Sequence, residues 1–167
     1  MNATMNTPAA VPEVQSPEAA GVKDYSDRLS DGQANSIYAA AYHMSQQGKH
    51  EQASTLFALL SMYCPREPKY TRSVAICFRK MRRYEDAIRY FAKTMELRPD
   101  NFEPAFQLVE CMLLMGRRDD AVDLLEKFAT MATDTGQTSI LDQASAMLEL
   151  LNAPAHSQEV AGSETTE

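Results

Sequence analysis

At 167 residues the chain has room for one domain. Without its polar ends about 120 residues remain, enough for a single helical core. A net charge of −7 argues against a general nucleic-acid binder, and no run of 18 apolar residues offers a membrane span.

The N-terminus carries no basic stretch followed by an apolar one, so no secretory signal is expected. Cys64, Cys77 and Cys111 are odd in number and lack the CxxC spacing of a zinc site or a disulfide framework. Buried free thiols in a reducing cytosol are expected instead. His43, His50 and His156 fall in no ligand or nucleophile motif, and no metal or other cofactor is expected.

Residues 1–29 are rich in Ala, Pro, Thr, Ser and Glu, and Pro8, Pro12 and Pro17 interrupt any helix. A disordered or partly helical arm is expected, with a short helix around 18–29. Order begins at Ser30, where Ser30-Asp31-Gly32-Gln33 has the form of a capping box. Ile37, Ala40, Ala41 and Met44 then form an apolar stripe at helical spacing. Gly48 ends this helix, and Glu51 opens a partner carrying Ala53, Phe57 and Leu60. Cys64-Pro65 stops the partner, because a residue before Pro avoids the α region.

The next pair carries Val74, Ala75, Phe78 and Met81, then Ala87, Ile88, Phe91 and Met95, and stops at Pro99. Arg82 stands where the neighbouring pairs have Gly48 and Gly116, so this turn lacks the residue best suited to a left-handed backbone. Asp100 is expected to cap the third pair, with Glu103 at N3. That pair carries Ala105, Leu108, Val109 and Met112, breaks at Gly116, and continues with Ala121, Leu124, Leu125 and Phe128. Thr133 occupies the place of the closing Pro. Over 137–151, Ile140, Leu141, Ala144, Leu148 and Leu151 form a last stripe, suited to covering the end of a stack. Residues 153–167 read as a solvated tail.

Three copies of one pattern are present. Ala53, Ala87 and Ala121 are 34 residues apart, as are Phe57, Phe91 and Leu125, and Ala41, Ala75 and Val109. A 34-residue period with a small residue, a large one four later and a Pro eight after that is the tetratricopeptide pattern. The expected fold is all-α: three tetratricopeptide repeats at about 34–67, 68–101 and 102–135, a solenoid of helical hairpins with a C-terminal capping helix, within a domain over 30–152.

These columns are packing positions, so function must be argued from the concave side that such stacks present. Groove-facing positions are expected one residue after the inner ones: Asn35, Tyr38, Tyr42, Ser45 and Gln46, then Lys69, Arg72, Ile76, Arg79 and Lys80, then Glu103, Phe106, Glu110, Leu113 and Leu114. Aromatic at one end, basic in the middle, and aromatic, acidic and aliphatic at the other, this floor suits an extended peptide with apolar anchors. Residues 66–98 hold ten Lys or Arg against four Asp or Glu, which reads as a solvated face or an attraction to an acidic partner. No aromatic-interleaved basic motif supports RNA binding. No paired carboxylates, phosphate loop or nucleophile–His arrangement supports an enzyme.

Three stretches carry a further resemblance: Ile37 to Tyr42 with Gly48 to Ala53, Glu103-Pro104 with Phe106, and Glu110-Cys111-Met112-Leu113-Leu114 with Gly116. On these the chain resembles the class II chaperones of bacterial type III secretion systems, over roughly 30–151. The middle repeat is more basic than that family's. The resemblance implies a bacterial cytoplasmic holdase for a secreted subunit, either a translocator or a needle or filament protein. It implies that Tyr38, Tyr42, Phe106 and Leu113 receive apolar side chains, while Asn35, Arg72, Arg79 and Glu110 bond the guest's backbone or charges. It also implies a homodimer through the N-terminal region. A general repeat scaffold in another assembly is the alternative.

Overall fold

The computed structural model describes residues 28–153; the expected arm before residue 28, with most of its short helix, and the tail from 154 lie outside the described residues. Seven helices and no strand occur among the described residues: α1 Asp31–Gln46, α2 His50–Tyr63, α3 Pro68–Lys80, α4 Tyr84–Leu97, α5 Glu103–Leu114, α6 Arg118–Asp134 and α7 Thr138–Asn152. The second helices begin at His50, Tyr84 and Arg118, in step with the 34-residue sequence period. Each helix packs chiefly on the one before and the one after.

Local chemistry sets the turns. Ser30 and Gln33 form the expected capping box, with the Gln33 N–H donating to Ser30 Oγ and the Ser30 N–H to Gln33 Oε1. The first helices close through one motif. Lys49 N–H donates to the Met44 carbonyl at 3.0 Å, Arg83 to Phe78 at 2.9 Å, and Arg117 to Met112 at 2.9 Å. This six-to-one bond requires a left-handed residue just before the donor. Gly48 and Gly116 supply it at φ 78° and 75°, and Arg82 supplies it at φ 60° although it is not glycine.

Of the second helices, α6 closes by the same bond, the Gln137 N–H donating to the Ala132 carbonyl at 2.8 Å with Gly136 at φ 68°, while α2 and α4 end otherwise. Cys64 and Arg98 leave the α region at φ −121° and −144°, each ahead of a Pro. Without that Pro, α6 runs on to Asp134 and reaches 17 residues, against 14 for α2 and for α4.

Burial follows the repeat columns. Ala41, Ala75, Val109, Ala53, Ala87 and Ala121 are each 0% exposed, and Phe57, Phe91 and Leu125 fill the space beside the small residues. Small side chains let two helices approach closely, and the large one four residues on interlocks with the neighbour. Three contiguous apolar clusters result, one across α1–α3, one across α3–α5 and one across α5–α7. Two polar groups inside are satisfied: the Thr71 hydroxyl donates to the Pro68 carbonyl at 3.0 Å, and the Thr94 hydroxyl has two acceptors for its one proton, Thr71 Oγ1 at 3.0 Å and the Tyr90 carbonyl at 2.8 Å.

Two local expectations change. Ala40 is exposed, and the inner face of α1 is Ala34, Ile37, Ala41 and Met44. Asp100 does not cap α5. It lies three residues before the first helical residue, too far for its carboxyl to reach N2 or N3, and sits 3.9 Å from Arg98. Asn101 does the work instead, its Oδ1 accepting the Glu103 N–H at 3.0 Å.

Candidate functional site

The floor of the site is made by the first helix of each hairpin. Arg72 pairs with Glu103, and Arg79 with Glu110 at 2.6 Å. Both partners advance by seven residues, two helical turns, so α3 and α5 run in the same direction and the pairs form two rungs across the floor. The basic middle foreseen in the sequence is therefore largely neutralised by the acidic third helix. Arg83 and Arg89 are likewise held by Asp86 at the start of α4. Burial pushes the Asp86 carboxyl up, but hydrogen bonds and charge from Arg83 and Arg89 outweigh it and hold its pKa below the usual carboxylate range.

Between α1 and α3 a cavity of about 550 Å³ opens to solvent, walled by Tyr38, Tyr42, Ser45, Phe57, Arg72 and Ile76 and edged by His50 and Lys80. Tyr42 is 53% exposed. Its ring stacks on Tyr38 at 6.4 Å, and Tyr38 in turn lies 5.4 Å from Phe57 and 5.8 Å from Tyr70. Tyr38 is therefore half wall and half core, while Tyr42 is free to meet a guest. Lys69 lies over the Tyr70 ring at 4.9 Å, and Lys80 has no ion-pair partner among the described residues. A second hollow of about 360 Å³ lies between α5 and α7, lined by Glu103, Phe106, Glu110, Ile140 and Gln143 among others.

Five of the ten groove residues named from sequence, Tyr38, Tyr42, Ser45, Arg72 and Ile76, come together in the larger cavity. Glu110 and Phe106 border the second, and Asn35, Arg79 and Leu113 line neither. Phe106 differs most from expectation. It is 7% exposed and packs with Phe102, Phe128 and Ile140, because α7 closes over that end of the floor. Little of its ring is left for a guest.

His50 was given no role by its sequence context, yet it edges the larger cavity. Its Nδ1 is buried without a hydrogen-bond partner, and so are Arg72 Nε, Arg79 Nε and Gln107 Oε1. These are the only such side-chain atoms among the described residues, and all belong to residues of the two hollows or of the rungs between them. Buried polar atoms are nearly always paired, so four exceptions beside the hollows set these residues apart from the rest of the described ones. The signal was partly legible: Arg72, Arg79, Glu103 and Glu110 share a seven-residue step. Burial pushes the Cys77 and Cys111 thiols up, the first opposed by its hydrogen bond with Ser45, which disfavours the reactive thiolate form.

Residues 78–132 match the family described as tetratricopeptide repeat. Chaperone protein SicA of Salmonella typhimurium is 28% identical over 109 residues, 65% of this chain and 66% of that protein, just under two thirds of its length. PcrH, solved in complex with the chaperone binding region of PopD, superposes with a TM-score of 0.63 at 23% identity, covering 74% of this chain and 93% of PcrH. The Yersinia enterocolitica chaperone SycD, solved with a peptide of the translocator YopD, gives 0.62 at 22% identity, with 73% and 94% covered. The two superpositions establish the fold. The chain has a tetratricopeptide-like helical fold and resembles, in sequence and in architecture, the chaperones of type III secretion systems.

Proposed function

We propose that this chain is a cytoplasmic chaperone that holds a secreted type III subunit in its concave groove before export, gripping an extended apolar segment. The observation that carries the reading is the open cavity beside Tyr42, bordered by buried polar atoms with no partner inside the chain. A translocator left free would insert into membranes or aggregate. Covering one apolar segment prevents both, and the groove offers apolar walls for side chains and unused donors for main-chain carbonyls. No catalytic step is needed. Two similar structures hold a segment of PopD and a peptide of YopD, and both support the choice of guest. The subunit class, translocator or needle and filament protein, belongs to the same proposal, as does pairing of two copies through the N-terminal region.

The test is co-expression with translocator genes, followed by co-purification with the wild-type chain and with Tyr42→Ala. Removing an exposed aromatic anchor costs about 2 kcal/mol, roughly thirtyfold in affinity. Helicity should be unchanged. Undiminished retention of the translocator by the folded variant contradicts groove binding. One observation favours the scaffold alternative: Leu59 and Met62 stand exposed on α2, at 39% and 65%. That reading predicts loss of partner on Met62→Asp and none on Tyr42→Ala.

A further inference from the structure

The two hollows of the floor carry opposite charge. The larger, between α1 and α3, has Arg72, Lys80 and His50 among its lining residues and no Asp or Glu among the described residues. The smaller, between α5 and α7, has Asp100, Glu103 and Glu110 and no Lys, Arg or His among them. Arg72 is already engaged by Glu103 across its rung. Lys80 is exposed and has no ion-pair partner among the described residues. Its neighbours do not supply one. The one carboxylate of α1, Asp31, lies about 22 Å along the helix from Gln46, which lines the cavity with Lys80. Glu51 of α2 borders a separate depression beside Met81 and forms no ion pair among the described residues.

Spacing turns this charge into a pattern. Ile76 and Lys80 share one face of α3, about 6 Å apart along its axis. Tyr42 stands on the facing wall. A furrow between two packed helices runs along them, so an extended guest seated here follows α3. In an extended chain, side chains two positions apart point the same way and lie about 6.6 Å from each other. An apolar side chain held between Tyr42 and Ile76 therefore brings the side chain two positions away beside Lys80. A lone cation at the edge of a hollow without carboxylates favours Asp or Glu there and repels Lys or Arg.

We propose that the hollow between α1 and α3 selects a guest segment in which an acidic residue stands two positions from an apolar anchor, with Lys80 as the residue that sets this preference. This rests on the groove reading and names the chemistry of its guest. The hollow between α5 and α7, lined by carboxylates, turns the same segment away, so the acidic residue fixes where along the floor the guest sits. The effect is on selectivity more than on grip. An exposed charge pair changes affinity by up to about fivefold, well below the effect of an aromatic anchor.

The test uses the full chain and a phage-displayed library of short random peptides, selected on the wild type, Lys80→Gln, Lys80→Glu and Tyr42→Ala. Peptides selected by the wild type should carry Asp or Glu two positions from an apolar residue about threefold more often than the starting library. Lys80→Gln should lose that enrichment, and Lys80→Glu should replace it with Lys or Arg. Lys80 is exposed, so helicity should be unchanged in both. The best wild-type peptide, synthesised, should bind about fivefold more weakly once its acidic residue is changed to Lys, and Lys80→Glu should restore binding of the changed peptide. Absence of the acidic enrichment, its persistence in both Lys80 variants, or recovery of no peptide overturns the proposal. If peptides are selected and lost on Tyr42→Ala yet show no charge preference, this inference alone falls. If Tyr42→Ala keeps them undiminished, the groove reading falls with it.

Discussion

Arg82→Gly should stabilise this protein although it removes a side chain and adds no contact. Arg82 holds φ 60° in the turn between α3 and α4, where the equivalent turns use Gly48 and Gly116 at φ 78° and 75°. A left-handed backbone costs a residue bearing Cβ about 1–2 kcal/mol. Glycine removes that cost but gains unfolded-chain freedom, an opposing term of about 0.5–1 kcal/mol. Arg82 is exposed and has no ion pair among the described residues, so little else is lost. The net gain is about 0.5–1 kcal/mol, or 2–4 °C in thermal midpoint for a domain of this size. Thermal and urea unfolding followed by circular dichroism measure it. Gly116→Ala is the control. A Cβ there meets nothing within 4 Å, so only backbone geometry changes, and about 1 kcal/mol should be lost. A lower midpoint for Arg82→Gly, or no change for Gly116→Ala, refutes the reasoning.

Other substitutions test other layers. Phe91→Ala opens a cavity at a fully buried position of the α3–α5 cluster and should cost about 3–5 kcal/mol, read as a fall in the urea midpoint. A double-mutant cycle on Arg79 and Glu110 should give a coupling below about 1 kcal/mol that weakens with salt, since both side chains are partly solvated. A large, salt-independent coupling would show the rungs to be structural rather than surface pairs. Asp86 has a folded pKa below its unfolded one, so its contribution is present above the unfolded value and is lost as pH falls through the folded value. Asp86→Asn should therefore flatten the acid limb of the stability profile below about pH 4 and leave its shape near pH 7 unchanged. Cys77 and Cys111 should resist alkylation at neutral pH in the native state and react only on unfolding.

The period-34 columns were legible because each is a packing constraint that recurs identically: Ala53, Ala87 and Ala121 all sit at a close helix–helix approach. Gly48 and Gly116 were legible because their turns need left-handed geometry, whereas Arg82 adopts the same geometry without announcing it. The cap of α5 was misplaced because Asp100 and Asn101 are both good capping residues and adjacent. Only the start of the helix decides between them. Phe106 was misread because helical periodicity gives a face but not its neighbours. The last helix, distant in sequence, folds over that face. The cross-floor pairing of Arg72 and Arg79 likewise depends on which helices become neighbours, and no single-helix pattern reports that.

Backbone hydrogen exchange of the chain, alone and bound to a co-expressed translocator, tests the central claim most directly. Guest in the hollow should slow exchange on α1, α3 and the start of α5, around Tyr42, Ile76 and Glu103, and leave the outer helices α2, α4 and α6 as they were. Protection centred on Leu59 and Met62 of α2, with none around Tyr42, would mean that partners dock on the convex surface and that the hollow does not hold the cargo.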